Sequence, residues 1–135
     1  YTEAWEKAWQ VTERVLTEIG RTSREAGAEV LVFSVPARFQ VEPEIQREIR
    51  ARYPGLRFDA GAPSRRLAAL CLRNDLAFVD LLPAFQRAHA AGEGPLFHQR
   101  VDHHWNAGGH ALAAREIARH LTSGSGFAGS PVSRR

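Results

Sequence analysis

At 135 residues, the chain has room for one domain around one hydrophobic core. Its 44% hydrophobic content is ordinary for a globular protein, and no stretch approaches the roughly 18–20 apolar residues that a membrane span needs. A single cysteine, Cys71, excludes internal disulfides and a thiolate zinc cluster, and the net charge of +3 comes from dispersed basic residues, all arginine except Lys7. A nucleic-acid reader would gather them on one face with stacking aromatics between, so no nucleic-acid partner is expected.

No positively charged start followed by an apolar core is present, so no signal peptide is visible. The sequence opens on Tyr1 and contains no Met, as expected of a segment of a longer polypeptide. Over residues 2–26, Trp5, Ala8, Trp9, Val15, Leu16 and Ile19 recur at three- and four-residue steps, which predicts a helix with the tryptophans as core anchors. Gly20 weakens that pattern, and Gly27 supplies its stop. The run Glu29-Val30-Leu31-Val32-Phe33-Ser34-Val35, closed by Pro36, reads as a strand buried on both faces. Pro43 opens a short helix that Pro54 ends, and Leu56-Arg57-Phe58 has the composition of a brief strand. Pro63-Ser64 starts another helix with Leu67, Leu70 and Cys71 on one face, and Asn74 is its expected left-handed cap. Cys71 is accordingly read as a buried helix residue rather than a nucleophile.

Leu76-Ala77-Phe78-Val79-Asp80-Leu81 reads as a second buried strand, and Pro83 begins a helix that runs to a turn over residues 92–94. The last helix starts at the N-cap Asn106 and carries Leu112, Ala113, Ile117 and Leu121 on one stripe. From residue 122 the composition is that of a flexible tail. Alternating helices and strands predict an α/β domain with a parallel sheet. Two or three strands make a thin sheet for this class, and an edge is expected to await further strands. The chain therefore reads as part of a domain.

The segment preceding the last helix, Val101-Asp102-His103-His104-Trp105-Asn106-Ala107-Gly108-Gly109-His110, carries the chemistry. In an extended segment residues two apart point the same way, so Asp102 and His104 can share a face. A carboxylate that accepts Nδ1–H fixes the imidazole tautomer and leaves Nε2 as a general base. Nothing in these residues reads as the nucleophile, which sits on a strained, glycine-flanked turn after a strand. Ser34 lies within a strand, and Ser23, Ser64, Ser123 and Ser125 have helix-end, capping or tail roles.

This pattern, with Gly109-His110 and Ala114 following it and a strand ending in Asp80-Leu81-Leu82-Pro83 before it, resembles the SGNH (GDSL-like) hydrolase superfamily. The resemblance implies a three-layer α/β/α, flavodoxin-like fold, of which residues 1–121 are the C-terminal portion and 122–135 a tail. It implies a Ser-His-Asp triad with an N-terminal serine outside this chain, His104 as general base and Asp102 as its orienter. The family's usual spacing is Asp-x-x-His, whereas here Arg100 and Val101 stand three before His103 and His104. Asp-x-His-Trp is similar to the variant in bacterial polysaccharide O-acetyltransferase-like members, which leaves esterase and acyltransferase both open.

By the same resemblance, the substrate is an acyl ester, such as an acetylated carbohydrate, and no cofactor is required. The missing N-terminal half of the domain is a necessary partner, and an upstream export signal would place the parent in the periplasm or outside a bacterium. Trp105 is a candidate wall of the acyl pocket, and Asn106 is the helix cap.

Two other readings compete. His98, His103, His104, His110 and Asp102 cluster in sequence as candidate metal ligands. Adjacent His103 and His104 point to opposite faces, however, and no His-x-x-x-His pair exists, so no metal is expected. The other reading is a non-catalytic α/β interaction module whose imidazoles satisfy buried polar groups.

Overall fold

A computed structural model of the chain describes residues 2–57, 59–98 and 103–123. Among the described residues it is mixed α/β and mostly helical, with one small parallel sheet. The order is α1 (Glu3–Glu25), β1 (Leu31–Phe33), α2 (Arg38–Val41), α3 (Pro43–Arg52), α4 (Ala62–Arg73), β2 (Ala77–Val79), α5 (Leu82–Ala90) and α6 (Ala107–Thr122). None of these helices is long and apolar enough to cross a membrane.

β1 and β2 pair in parallel, with Leu31 opposite Ala77, Val32 opposite Phe78 and Phe33 opposite Val79. Parallel strands need a long crossover, and α2, α3 and α4 supply it. The expected strands are thus present but shorter, and they are not buried on both faces: Phe33 is exposed and the remaining strand residues are half-buried. The expected brief strand at Leu56-Arg57-Phe58 does not form at its described positions. Leu56 N–H instead closes a turn on the Tyr53 carbonyl at 2.9 Å, as the intervening Pro54-Gly55 favours. Phe58 lies outside the described residues.

α1 packs against α4 through polar contacts more than through its apolar stripe. Arg66 grips Glu6 with both guanidinium nitrogens and lies over the Trp9 ring at 5.1 Å from its centroid. This hydrogen-bonded guanidinium holds the Glu6 carboxyl below its ordinary value. Further along, Arg73 donates to Glu13 and Thr17 pairs with Asn74. Gly20 does not interrupt the helix: a Cβ there would come within 2.9 Å of Leu76 Cδ2, so its bare backbone is where the residue before β2 seats. Trp5, expected as a core anchor, is 59% exposed, and Trp9 is only half-buried. The packed face of α1 therefore runs through Glu6, Trp9, Glu13, Thr17 and Gly20. Val11, Val15 and Ile19, spaced four apart on another face, stay exposed.

Gly27 ends α1 at φ +70°, with Ala28 N–H bonded back to the Ser23 carbonyl. At the end of α4 the left-handed residue is Asp75 (φ 53°), one beyond the expected Asn74. Asn74 instead turns its amide back to the Leu70 carbonyl at 2.9 Å. Cys71 is fully buried, as expected, and burial pushes its thiol up, away from thiolate chemistry.

The main core lies among α2, α5, α6 and the segment preceding the His-rich stretch. It comprises Val41, Leu81, Leu82, Phe85, Ala88, Leu96, Phe97, Leu112 and Ala113, with Val79, Trp105 and Ile117 packed against it. Phe85 and Phe97 are almost wholly buried, with ring centroids 6.1 Å apart. Each such ring contributes about 1.5–3 kcal/mol by leaving water. Gln40, buried in the single-turn α2, caps its own helix by accepting Ala37 N–H at 2.8 Å and reaches the Ala60 carbonyl at 2.6 Å. A partly buried Arg38–Glu42 pair closes the same turn.

Candidate functional site

Because β1 and β2 are parallel, their carboxyl ends lie at one edge, where open α/β sheets gather their ligands. Two polar residues meet there. Ser34, one past β1, donates its Oγ–H to Asp80 Oδ1 at 2.8 Å and accepts Leu81 N–H at 2.9 Å. Asp80, one past β2, also accepts Leu82 N–H at 3.0 Å, which satisfies one of the free donors opening α5. Ser34 is 7% exposed and its hydroxyl is engaged in both directions, so it ties the strand ends together rather than presenting a nucleophile.

The His-rich segment comes to this edge on a short antiparallel ribbon. Phe97 bridges Trp105, His98 N–H donates to the His104 carbonyl at 2.9 Å, and Asn106 N–H donates to the Leu96 carbonyl at 3.1 Å. His103 and His104 are exposed beside this pairing. Asp102, the proposed orienter, lies outside the described residues, as do Arg100 and Val101.

The residue after the histidines fixes the ribbon to the sheet. Trp105 Nε1–H donates to the Pro36 carbonyl at 3.0 Å, against the segment leaving β1. Its ring lies 4.8 Å from that of Phe85 at a 31° tilt and meets the His110 ring edge-on at 5.7 Å. An indole held by one hydrogen bond and two ring contacts is an anchor, and it sets where the preceding His104 sits. His110, one turn into α6, makes this ring contact while remaining exposed.

Asn106 then starts α6 as expected. Its Oδ1 accepts Gly109 N–H at 3.1 Å, and its Nδ2 donates to the Pro95 and Phe97 carbonyls at 2.8 and 3.3 Å. One side chain thus caps the helix and clamps the ribbon's other strand. Asn106→Ala is expected to cost more than the roughly 1 kcal/mol of an ordinary cap, because the amide contacts to Pro95 and Phe97 are lost with it. Thermal denaturation read by circular dichroism checks this, with Asn106→Asp as the comparison that keeps only the cap.

Among the described residues no group of three or more His, Cys, Asp or Glu side chains is placed to hold a metal ion. His98, His103, His104 and His110 are all described, whereas Asp102 is not. Sequence reasoning missed the Ser34–Asp80 tie and the Pro36 carbonyl as Trp105's partner. The local half of the first carried a signal, since an Asp two residues before a helix-opening Leu-Pro is a side-chain turn signature for the Asp80–Leu82 bond, whereas its Ser34 partner did not. For the second there was none, because it spans 69 positions.

Residues 2–134 match the family model for the SGNH hydrolase-like domain, acetyltransferase AlgX. No curated protein and no solved structure gave a match. With the match running over nearly the whole chain and Trp105 anchored beside the carboxyl end of a parallel sheet, the chain belongs to this SGNH hydrolase-like family.

Proposed function

We propose that this chain supplies the base and its orienter to a Ser-His-Asp acyltransferase or esterase site whose serine lies outside these 135 residues. The observation that carries the reading is the Trp105 anchor, which holds the exposed His104 where ligands collect in α/β domains. His104 Nε2 takes the proton from the serine Oγ as that oxygen attacks the acyl carbonyl. It then returns the proton to the departing alkoxide, leaving an acyl-serine. In the second half the same nitrogen deprotonates the acceptor hydroxyl that releases the acyl group. Asp102 accepts Nδ1–H and stabilises the imidazolium. Trp105, beyond its anchoring role, lines the acyl side of the site.

The family's acetyltransferase description favours acetyl as the acyl group and a carbohydrate hydroxyl as acceptor over water. The chain is the C-terminal portion, residues 1–121, of a three-layer α/β/α domain. The uncovered Val11, Val15 and Ile19 on α1 and the exposed Phe33 on β1 support further strands and helices joining here. Of the tail, residues 122–135, Thr122 still belongs to α6, and all beyond Ser123 lies outside the described residues. An export signal elsewhere in the gene product would place the reaction in the periplasm or outside the cell.

The test is a fluorophosphonate probe applied to the full-length gene product, with the labelled residue located by mass spectrometry. Label is expected on a serine outside the present residues, at a rate that His103→Ala leaves within about threefold, because this reading gives the base role to His104 and none to His103. No label on a folded protein would overturn the reading in favour of a non-catalytic interaction module. Whether a carbohydrate hydroxyl competes with water for the acyl group then separates transferase from esterase.

A further inference from the structure

We infer that Ser34 and Asp80 are positioning residues for the catalytic histidine, acting through Trp105. The inference rests on the reading of His104 as the base. Ser34 is a polar side chain, 7% exposed, at the end of a three-residue strand. Buried hydroxyls need partners, and this one is bonded to Asp80 and Leu81 of the neighbouring strand's exit. The tie sits where the two chains would otherwise part. Beyond it, the chain leaving β1 runs through Val35 to Pro36, and the chain leaving β2 enters α5.

Both branches end on Trp105. From the β1 side the Pro36 carbonyl, two residues past Ser34, accepts the indole N–H at 3.0 Å. From the β2 side Phe85, five residues past Asp80 and almost wholly buried, lies 4.8 Å from the indole. Asp80 also fixes the start of the helix that carries Phe85, by accepting Leu82 N–H. The spacing between the Pro36 carbonyl and the Phe85 ring is therefore set by the Ser34–Asp80 bond, and the indole fits between them. His104, joined directly to Trp105 and paired through its carbonyl to His98, inherits that position. A displacement of about 1 Å at a catalytic base is enough to cost around 100-fold in rate.

The carboxylate's charge is not what this role needs. An Asn side chain at position 80 would still present an oxygen to the Ser34 hydroxyl and to Leu82 N–H. Asp80→Asn should therefore preserve the geometry, whereas Asp80→Ala and Ser34→Ala should release it. This separates a positioning role from one in which Asp80 itself orients or charges the imidazole.

The experiment compares Ser34→Ala, Asp80→Ala and Asp80→Asn in the full-length gene product. It measures turnover of an acyl ester, the folded fraction at the assay temperature, and hydrogen exchange at the Trp105 indole N–H by NMR. Both Ala variants are expected to lose at least tenfold in kcat with KM within twofold, and to exchange the indole proton at least tenfold faster while folded. Asp80→Asn is expected to stay within about twofold of wild type on every measure. Wild-type kcat in a folded Asp80→Ala would overturn the inference, and so would an Asp80→Asn as impaired as Asp80→Ala. A loss that merely follows the unfolded fraction would overturn it too. If His104→Ala keeps full activity, the base assignment fails instead, and indole exchange still decides whether the tie holds Trp105.

Discussion

His104→Ala in the full-length gene product is expected to lower the rate of acyl-enzyme formation by about 10⁶-fold, the scale seen when a serine triad loses its base. The magnitude follows from the chemistry. A serine hydroxyl is a poor nucleophile until a neighbouring base takes its proton. His110 is turned edge-on to Trp105 from within α6, and His103→Ala at the adjacent position is the control, expected to label at close to the wild-type rate. Stability should change little compared with activity, because the His104 side chain is exposed and the carbonyl that accepts His98 N–H survives in alanine. Asp102→Asn should be severe but less so. The measurement is the second-order rate of fluorophosphonate labelling, with thermal unfolding in parallel. Near-normal labelling of His104→Ala would sink the assignment.

Gly109→Ala is expected to produce the largest loss of stability among single substitutions in this region, about 3 kcal/mol or more, with a fall of roughly 10 °C in Tm. The cause is backbone, not side chain. A Cβ at Gly109 would stand 2.4 Å from the Leu96 carbonyl oxygen and 3.0 Å from Trp105 Cβ. A flexible side chain can yield to such a contact. The Leu96 carbonyl cannot, since it accepts Asn106 N–H within the ribbon. Either the ribbon or the first turn of α6 must move, and both are coupled to Trp105. Calorimetry should therefore show the loss together with reduced activity in the fraction that remains folded. A Gly109→Ala variant with wild-type Tm would show that the ribbon and helix do not approach as closely as described. Gly108, one position earlier, is the comparison: its nearest neighbour would be the Pro95 carbonyl at 3.1 Å, so Gly108→Ala should be much milder.

Much of the fold was legible because its signals are local. Hydrophobic periodicity, the prolines opening α3, α4 and α5, and Asn106 before α6 each act within a few residues, and all the main helices lie where these signals put them. Pairing and burial were less legible, because they depend on what lies opposite. Trp5 and Trp9 fit a core stripe on paper, yet the helix face that packs is chosen by Arg66, Arg73 and Leu76, some 60 positions away. The same holds for the short α2, which no periodic pattern announces and which Gln40 stabilises from within and by reaching Ala60. The candidate base was legible through its neighbours in sequence, whereas the tie between Ser34 and Asp80 required the parallel register of the two strands.

Three consecutive residues carry three unlike tasks: Trp105 anchors, Asn106 initiates a helix, and His104 is the residue proposed to transfer the proton. A mutational screen that reads activity alone would find all three equally sensitive, and it would nominate Trp105 and Asn106 as catalytic. Only a screen that also reads abundance or protease resistance would sort them, with His104 variants inactive but plentiful and Asn106 variants scarce. Insertions would be tolerated still less, since one added residue between positions 104 and 106 would uncouple the base from its anchor and the anchor from its helix. The spacing of this tripeptide is therefore a stricter marker for finding functional homologues than the identity of any one of its members.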